Sequence, residues 1–167
     1  QFKAFGSPTR ISREKDKIWL KASGRNPEDR IVTVGYYSLL DIDQVTLQWK
    51  GRNVRWTPVA EVTDLGFDHV DILNEALKEL RKDLIREPIG FELLPEKFTL
   101  SHLQRVYEVI LGVNLDKRNF RKKVARMKYL RQLDEKQVGV AHKPARLYTF
   151  DKDTYEATRR ELLDFAI

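Results

Sequence analysis

The sequence predicts an α+β protein in two parts: a sheet-containing first part, then a helical module closed by a hairpin. Three observations predict it. Charge is segregated: of 31 Lys/Arg and 25 Asp/Glu, residues 1–98 hold 16 of each, so the entire net charge of +6 lies in 99–167. β-Branched and aromatic runs at 1–5 and 31–42 read as strands. Beyond residue 99 the order becomes amphipathic helix, four-residue turn, basic helix, hairpin.

Residues 1–5 read as a strand with no lead-in and no initiator Met, closed by Gly6, Ser7 and Pro8, as if inside a domain. Residues 9–30 are polar and punctuated by Gly24, Asn26 and Pro27, which predicts a long loop with a short strand at 18–20. IVTVGYYSLLDI at 31–42 is the strongest strand signal, continuous enough for a central strand covered on both faces. Short strands follow at 45–48 and 54–56, around a turn at 50–53. Asp41 and Asp43 fit the end of a strand better than a catalytic carboxylate pair. Leu73, Leu77, Leu80 and Leu84 recur at helical spacing, so 68–86 is a helix that Pro88 stops. A half-domain built this way leaves a sheet edge unpaired, so a covering partner or an incomplete sheet is expected.

Residues 89–94 read as extended, and the junction falls there: 1–87 is one part, 88–167 the other. Ser101 and Gln104 fit a capping box. Leu103, Val106, Tyr107, Ile110 and Leu111 form a helical face ended by Gly112. After the 113–116 turn comes DKRNFRKKVARMKYLR, 116–131, with eight Lys or Arg and one acid. Asp116 stands where a helix wants its N-cap. Phe120, Val124 and Met127 make one apolar stripe. Strands at 129–134 and 145–150 flank a loop with Gly139, Pro144, Lys136 and Lys143. The tail, 151–167, reads as an amphipathic helix with Tyr155, Thr158, Leu162 and Phe165 on one side.

This is the order of a winged helix-turn-helix. A major groove about 12 Å wide admits one helix, read by Arg, Lys, Asn and Gln. Lys117, Arg118, Asn119, Arg121 and Lys122 sit near the start of the basic helix. Arg118 suits guanine and Asn119 adenine. Lys122, Lys123 and Arg126 suit phosphates, with Lys122 also in reach of a base. Thr99 and Ser101 open the preceding helix and suit a backbone phosphate. Lys136, His142, Lys143 and Arg146 line the wing. Six such contacts give a slope of log affinity against log salt of roughly −5. Taken alone, the basic run also fits a solvated helix that binds nothing. The segregated charge, the capped helix and the basic hairpin favour nucleic acid.

Other chemistries find little support. With no Cys there is no disulfide, Cys-ligated zinc or thiol nucleophile. No Gly-rich phosphate loop or nucleophile elbow occurs. His69 and His102 lack partners at metal spacing, and Tyr107 and Tyr148 suit the core. No catalytic or metal-binding residue is assigned. No apolar run approaches the ~18 residues of a membrane span, so a cytoplasmic protein with no membrane partner is expected.

The run EPIGFELLPEKFTLSHLQRVYEVILGVNLDKRNFRKK, 87–123, resembles the C-terminal region of Nudix-related transcriptional regulators, in which a Nudix-fold domain is fused to a winged helix. The likeness continues in RLYTF (146–150), FGSP (5–8), PEDRIVTVGYYSLL (27–40) and LGFDHVDIL (65–73). It implies a partial Nudix-type α/β/α sandwich followed by the winged helix. It also implies a homodimeric regulator that binds double-stranded DNA and responds to a small molecule such as ADP-ribose or a sugar. The effector contacts are unspecified, with Tyr36 and His69 as candidates. Two departures matter. The Nudix box has no match: the Arg-Glu pairs at 13–14, 86–87 and 160–161 lack the rest of it. No cofactor is therefore expected here, magnesium only if an upstream half carries the box, and the chain by itself should not hydrolyse. Residues 9–26 also look inserted between FGSP and PEDR. The competing reading is a pyrophosphohydrolase acting on ADP-ribose or a sugar nucleotide. A docking module for proteins is a third.

Overall fold

The computed structural model describes residues 1–40, 42, 45–48, 54–141 and 143–164, with side chains up to 159. The expected turn at 50–53, Asp41, Asp43, His142 and Phe165 lie outside the described residues, as does the side chain of Leu162. Two compact units result, Gln1–Lys82 and Asp83–Ile167.

In the first unit, β1 (Lys3–Phe5) pairs antiparallel with β2 (Thr33–Gly35), Lys3 opposite Gly35 and Phe5 opposite Thr33. The predicted strand 31–42 thus shrinks to three residues, and it is not covered on both faces. Val32 and Tyr36 are exposed, at 59% and 68%. β-Branched residues favour a pleated, half-buried surface, and only the stretch opposite β1 has a partner to pleat against. The described sheet is two-stranded, in line with an incomplete sheet. The strands expected at 45–48 and 54–56 do not form, and Val54 and Trp56 stay exposed. Pro58 instead precedes a 3-10 turn, Val59–Glu61.

The expected loop at 9–30 contains a helix, α1 (Glu14–Ala22). Glu14 and Asp16 in its first turn and Lys21 in its last suit the helix dipole. Leu20 is buried at 1%. Asp16, also buried, accepts from Arg13 Nε at 2.7 Å and from the Phe67 N–H at 3.2 Å. Arg13 in turn donates to the Leu65 and Phe67 carbonyls. Phe67 has φ of 57°, left-handed and rare for a bulky residue. Its backbone is gripped at both ends, and its ring meets Trp19 edge-on at 5.7 Å. Arg10 joins the strands to the next helix: it donates to both oxygens of Asp68, at 3.0 and 2.7 Å, and to the Phe5 carbonyl.

Helix α2 (His69–Arg86) forms as its leucine spacing predicts, and Pro88 follows its end. Its last turn carries Leu84, which is buried in the second unit. Residues 89–94 are not extended: Ile89–Glu92 form one helical turn, α3. The reason is tertiary. That turn drives Phe91 into the core, stacked on Phe150 at 4.7 Å. It also brings Gly90 so close to Leu84 and Tyr107 that a Cβ there would stand 3.0 and 3.2 Å from them.

The second unit continues with α4 (Leu100–Leu111), α5 (Lys117–Val124), β3 (Leu130–Lys136), β4 (Arg146–Phe150) and α6 (Lys152–Asp164). Its core is Phe91, Phe98, Leu103, Phe120 and Val124, flanked by Tyr107, Met127, Tyr129 and Phe150. Burying each such side chain contributes about 1.5–3 kcal/mol. Phe98 exchanges two backbone hydrogen bonds with Tyr148, at 2.9 and 2.8 Å, so the chain before α4 is tied to the hairpin by a single antiparallel bridge. The capping box expected at Ser101 does not form. Thr99 is the N-cap, its hydroxyl accepting from the His102 N–H at 3.1 Å, while Gln104 binds Glu108 and the Leu115 carbonyl. Gly112, at φ 70°, closes α4.

The basic helix is shorter than 116–131. Asp116 caps it as expected, accepting from the Asn119 N–H at 2.8 Å. After Val124 the bonds tighten: Arg126 N–H to Lys123 and Met127 N–H to Val124. Residues 128 and 129 form a turn, and from Leu130, which faces Phe150, the chain belongs to the sheet. Among the described residues no helix is long and apolar enough to cross a membrane, and no group of three His, Cys or acidic residues is placed to hold a metal.

Candidate nucleic-acid interface

Helix α5 is fixed by Phe120 and Val124, 7% and 2% exposed. At about 100° per residue, Arg118 and Lys122 lie opposite that edge and form the outward ridge. The two flanks differ. Arg121 lines an open cleft of about 310 Å³ with Thr99, Ser101, Arg146 and Tyr148. Asn119 and Lys123 line a cavity of about 430 Å³ on the other flank, with Leu84, Ile85, Leu111 and Leu115. Arg118 and Asn119, adjacent in sequence, therefore face different surroundings.

The cleft gathers what a phosphate needs. Arg121 and Arg146 are exposed, as is the Ser101 hydroxyl on the first turn of α4. Thr99 is placed otherwise: it is 3% exposed and its hydroxyl is engaged in the cap. Tyr148 lines the cleft while also packing on the core, and its hydroxyl donates to Gln132 at 3.2 Å. A role at the cleft was missed in the sequence, although alternation along β4 puts Tyr148 on the side of Arg146.

Across the hairpin, Lys136 stands directly opposite Arg146. Like charges facing each other on paired strands destabilise a sheet unless something anionic lies over them. Gln137 N–H donates to the Ala145 carbonyl at 2.9 Å, and Gly139 turns the tip with φ of 73°. Lys143 is exposed beyond it, and Arg126 is exposed in the turn after α5.

The ion-pair pattern sharpens the contrast. In the first unit Lys3, Arg10, Arg13, Lys15, Lys17, Lys78 and Lys82 pair with carboxylates, while Lys21, Arg25, Arg30 and Arg55 do not among the described residues. Among the described residues none of Lys117, Arg118, Arg121, Lys122, Lys123, Arg126, Lys136, Lys143 or Arg146 does. The turn that presents α5 is tied down. Glu108 Oε1 accepts from the Leu115 N–H at 3.0 Å and from Gln104, and these bonds hold its carboxyl below the usual range.

Tyr36 and His69 do not converge on a site. Tyr36 is exposed and donates to Gln1 Oε1 at 3.3 Å. The His69 ring packs at 5.7 Å on Phe67. The first unit holds a cleft of about 560 Å³ that includes Arg10, Arg13, Phe67 and Asp68 but neither of those two residues.

Comparison with known proteins agrees with this geometry. A family model described as the NrtR DNA-binding winged helix domain matches residues 90–150. The ADPR responsive transcriptional repressor NtrR of Acinetobacter baylyi is 30% identical over 144 residues, covering 84% of this chain and 57% of the relative. The crystal structure of NrtR from Shewanella oneidensis superposes with a TM-score of 0.59 at 29% identity, covering 92% of this chain and 64% of that one. The chain thus spans rather more than half the length of the relatives it matches.

Proposed function

From the premise that the chain belongs to the Nudix-related transcriptional regulators, we propose that it binds operator DNA through its second unit and answers to a nucleotide-type metabolite. The division of labour is residues 1–87 for sensing and 88–167 for DNA. Helix α5 enters the major groove with Arg118 and Lys122 leading. Lys117, Arg121, Ser101, Arg146, Lys136 and Lys143 hold the backbone on the α4 and wing side. Arg126 contacts phosphate beyond the helix, with Lys123 on the other flank. The observation that carries the reading is the gathering of nine exposed cations on α5, the turn after it and the hairpin, none with a carboxylate partner among the described residues.

The regulator acts in the cytoplasm as a homodimer on a two-fold-symmetric site. Its effector is ADP-ribose or a related sugar nucleotide, supported by the ADPR-responsive relative. DNA binding so described uses no metal. Fluorescence anisotropy on duplex DNA across a salt series tests the proposal. A slope near −5, for about six neutralised phosphates, is expected. A flat salt response, or no binding, overturns it. ADP-ribose added to the complex should release the DNA, and an unchanged complex would remove the effector from the reading.

A further inference from the structure

On the far side of α5 from the wing lies the 430 Å³ cavity. Its size is that of a small-molecule site, and its walls are mostly apolar with few polar groups, as such sites are. One feature shows that the apolar packing there is unfinished. Ile85 is 75% exposed although it adjoins Leu111 and Leu115. Its neighbour Leu84 is fully buried, so the helix end that carries both is firmly seated. The opposite wall is fixed in advance: the Leu115 backbone is held at N–H by Glu108 and at C=O by Gln104.

The polar groups at the rim are Asn119, Lys123 and Asp116. Asp116 is occupied as the α5 cap. Lys123 has no carboxylate partner among the described residues. Asn119 and Lys123 are four apart on one helix and so share a flank. An apolar recess with a free ammonium and a carboxamide at its edge matches an amphipathic anion: a hydrocarbon body over Ile85, a carboxylate on Lys123.

We propose that this cavity is a binding site for small amphipathic carboxylates, and that filling it weakens DNA binding by drawing Lys123 away from phosphate. The site stands on the cavity and the unpaired lysine. The effect on DNA rests on the DNA-binding reading above.

Octanoate is a suitable probe, added to the full chain and followed by calorimetry and by amide NMR shifts. Saturable binding with shifts at Ile85, Leu111, Leu115 and Lys123 is expected. Ile85→Glu is a surface change that places a carboxylate at the apolar mouth, and it should weaken octanoate about tenfold or more. Lys123→Gln should weaken octanoate several-fold and leave octanol unchanged. No saturable binding, shifts confined to another region, or octanoate binding indifferent to both variants would overturn the site. In the DNA arm, octanoate should lower DNA affinity and flatten the salt slope by roughly one. If octanoate binds but DNA affinity does not move, the coupling is wrong and the site stands. If no DNA binds at all, the fault lies with the functional reading.

Discussion

Arg121 of the basic helix and Arg146 of the hairpin, 25 positions apart in sequence, line one cleft beneath the start of α4. Neither has a carboxylate partner among the described residues. That juxtaposition needs the helix, the turn and the strand register all in place, and under the proposed function the cleft is the backbone clamp. Replacing both by Ala should weaken binding to every DNA sequence alike and reduce the salt slope by about 2. Anisotropy titrations at several salt concentrations measure both. An unchanged slope would mean that this flank does not meet phosphate.

Arg118 and Asn119 should behave differently, because only Arg118 lies on the outward ridge. Arg118→Ala should cost about 1–3 kcal/mol on the specific site and relax preference at one base pair. Asn119→Ala should leave base preference nearly intact, since its side chain lines the apolar cavity. Competition with operators altered one base pair at a time separates the two. Loss of discrimination at an adenine in Asn119→Ala would restore it as a reader.

Thr99 and Asp116 are the two caps that set the start of α4 and of α5. Thr99→Ala and Asp116→Ala should each destabilise the fold by about 1 kcal/mol. Ser101→Ala, which removes no cap, should stay within about 0.5 kcal/mol. Urea unfolding midpoints decide. A large loss at Ser101 with none at Thr99 would mean that α4 begins two residues later.

The second unit was more legible in the sequence than the first, for physical reasons. Its elements announce themselves locally: a cap at Asp116, a stop at Gly112, an apolar stripe through Phe120 and Val124. Where local signals were misread, tertiary pairing had decided. Residues 128–131 extend the basic pattern of α5, yet Leu130 pairs with Phe150 and leaves the helix. Residues 89–92 look extended, yet Phe91 finds its ring stack only from a helical turn. In the first unit α1 was hidden because it buries one apolar residue, Leu20, rather than a stripe, and Asp16 and Arg13 anchor it through polar bonds. The strand signal over 31–42 outruns the strand itself, because β-branched residues report an environment that, among the described residues of that stretch, 33–35 alone possess. As for the interface, the sequence supplied the cations but not their facing. That Arg118 and Asn119 diverge, or that Tyr148 joins Arg146, follows only once the core fixes the rotation of α5 and the hairpin register.

Two carboxylates tie local structure to pH. Glu108 is held below its ordinary pKa of 4.5, chiefly by the Leu115 N–H and then by Gln104. Asp151 is held below 3.8, chiefly by the Thr154 N–H at the start of α6. In both the folded-state pKa lies under that of the unfolded chain, so at acid pH the unfolded state binds more protons. Stability from these groups is therefore complete above their unfolded values, and it is lost as pH falls through the folded ones. The second unit should hold its stability from neutral pH to about 4.5 and lose it progressively below. Glu108→Gln should lower stability at pH 7, because the charged acceptor for Leu115 is gone, and should make the acid loss shallower. Thermal unfolding between pH 7 and pH 3, wild type against variant, gives the comparison. Parallel curves would mean that Glu108 carries none of the acid sensitivity, and that the turn presenting α5 is held by packing alone.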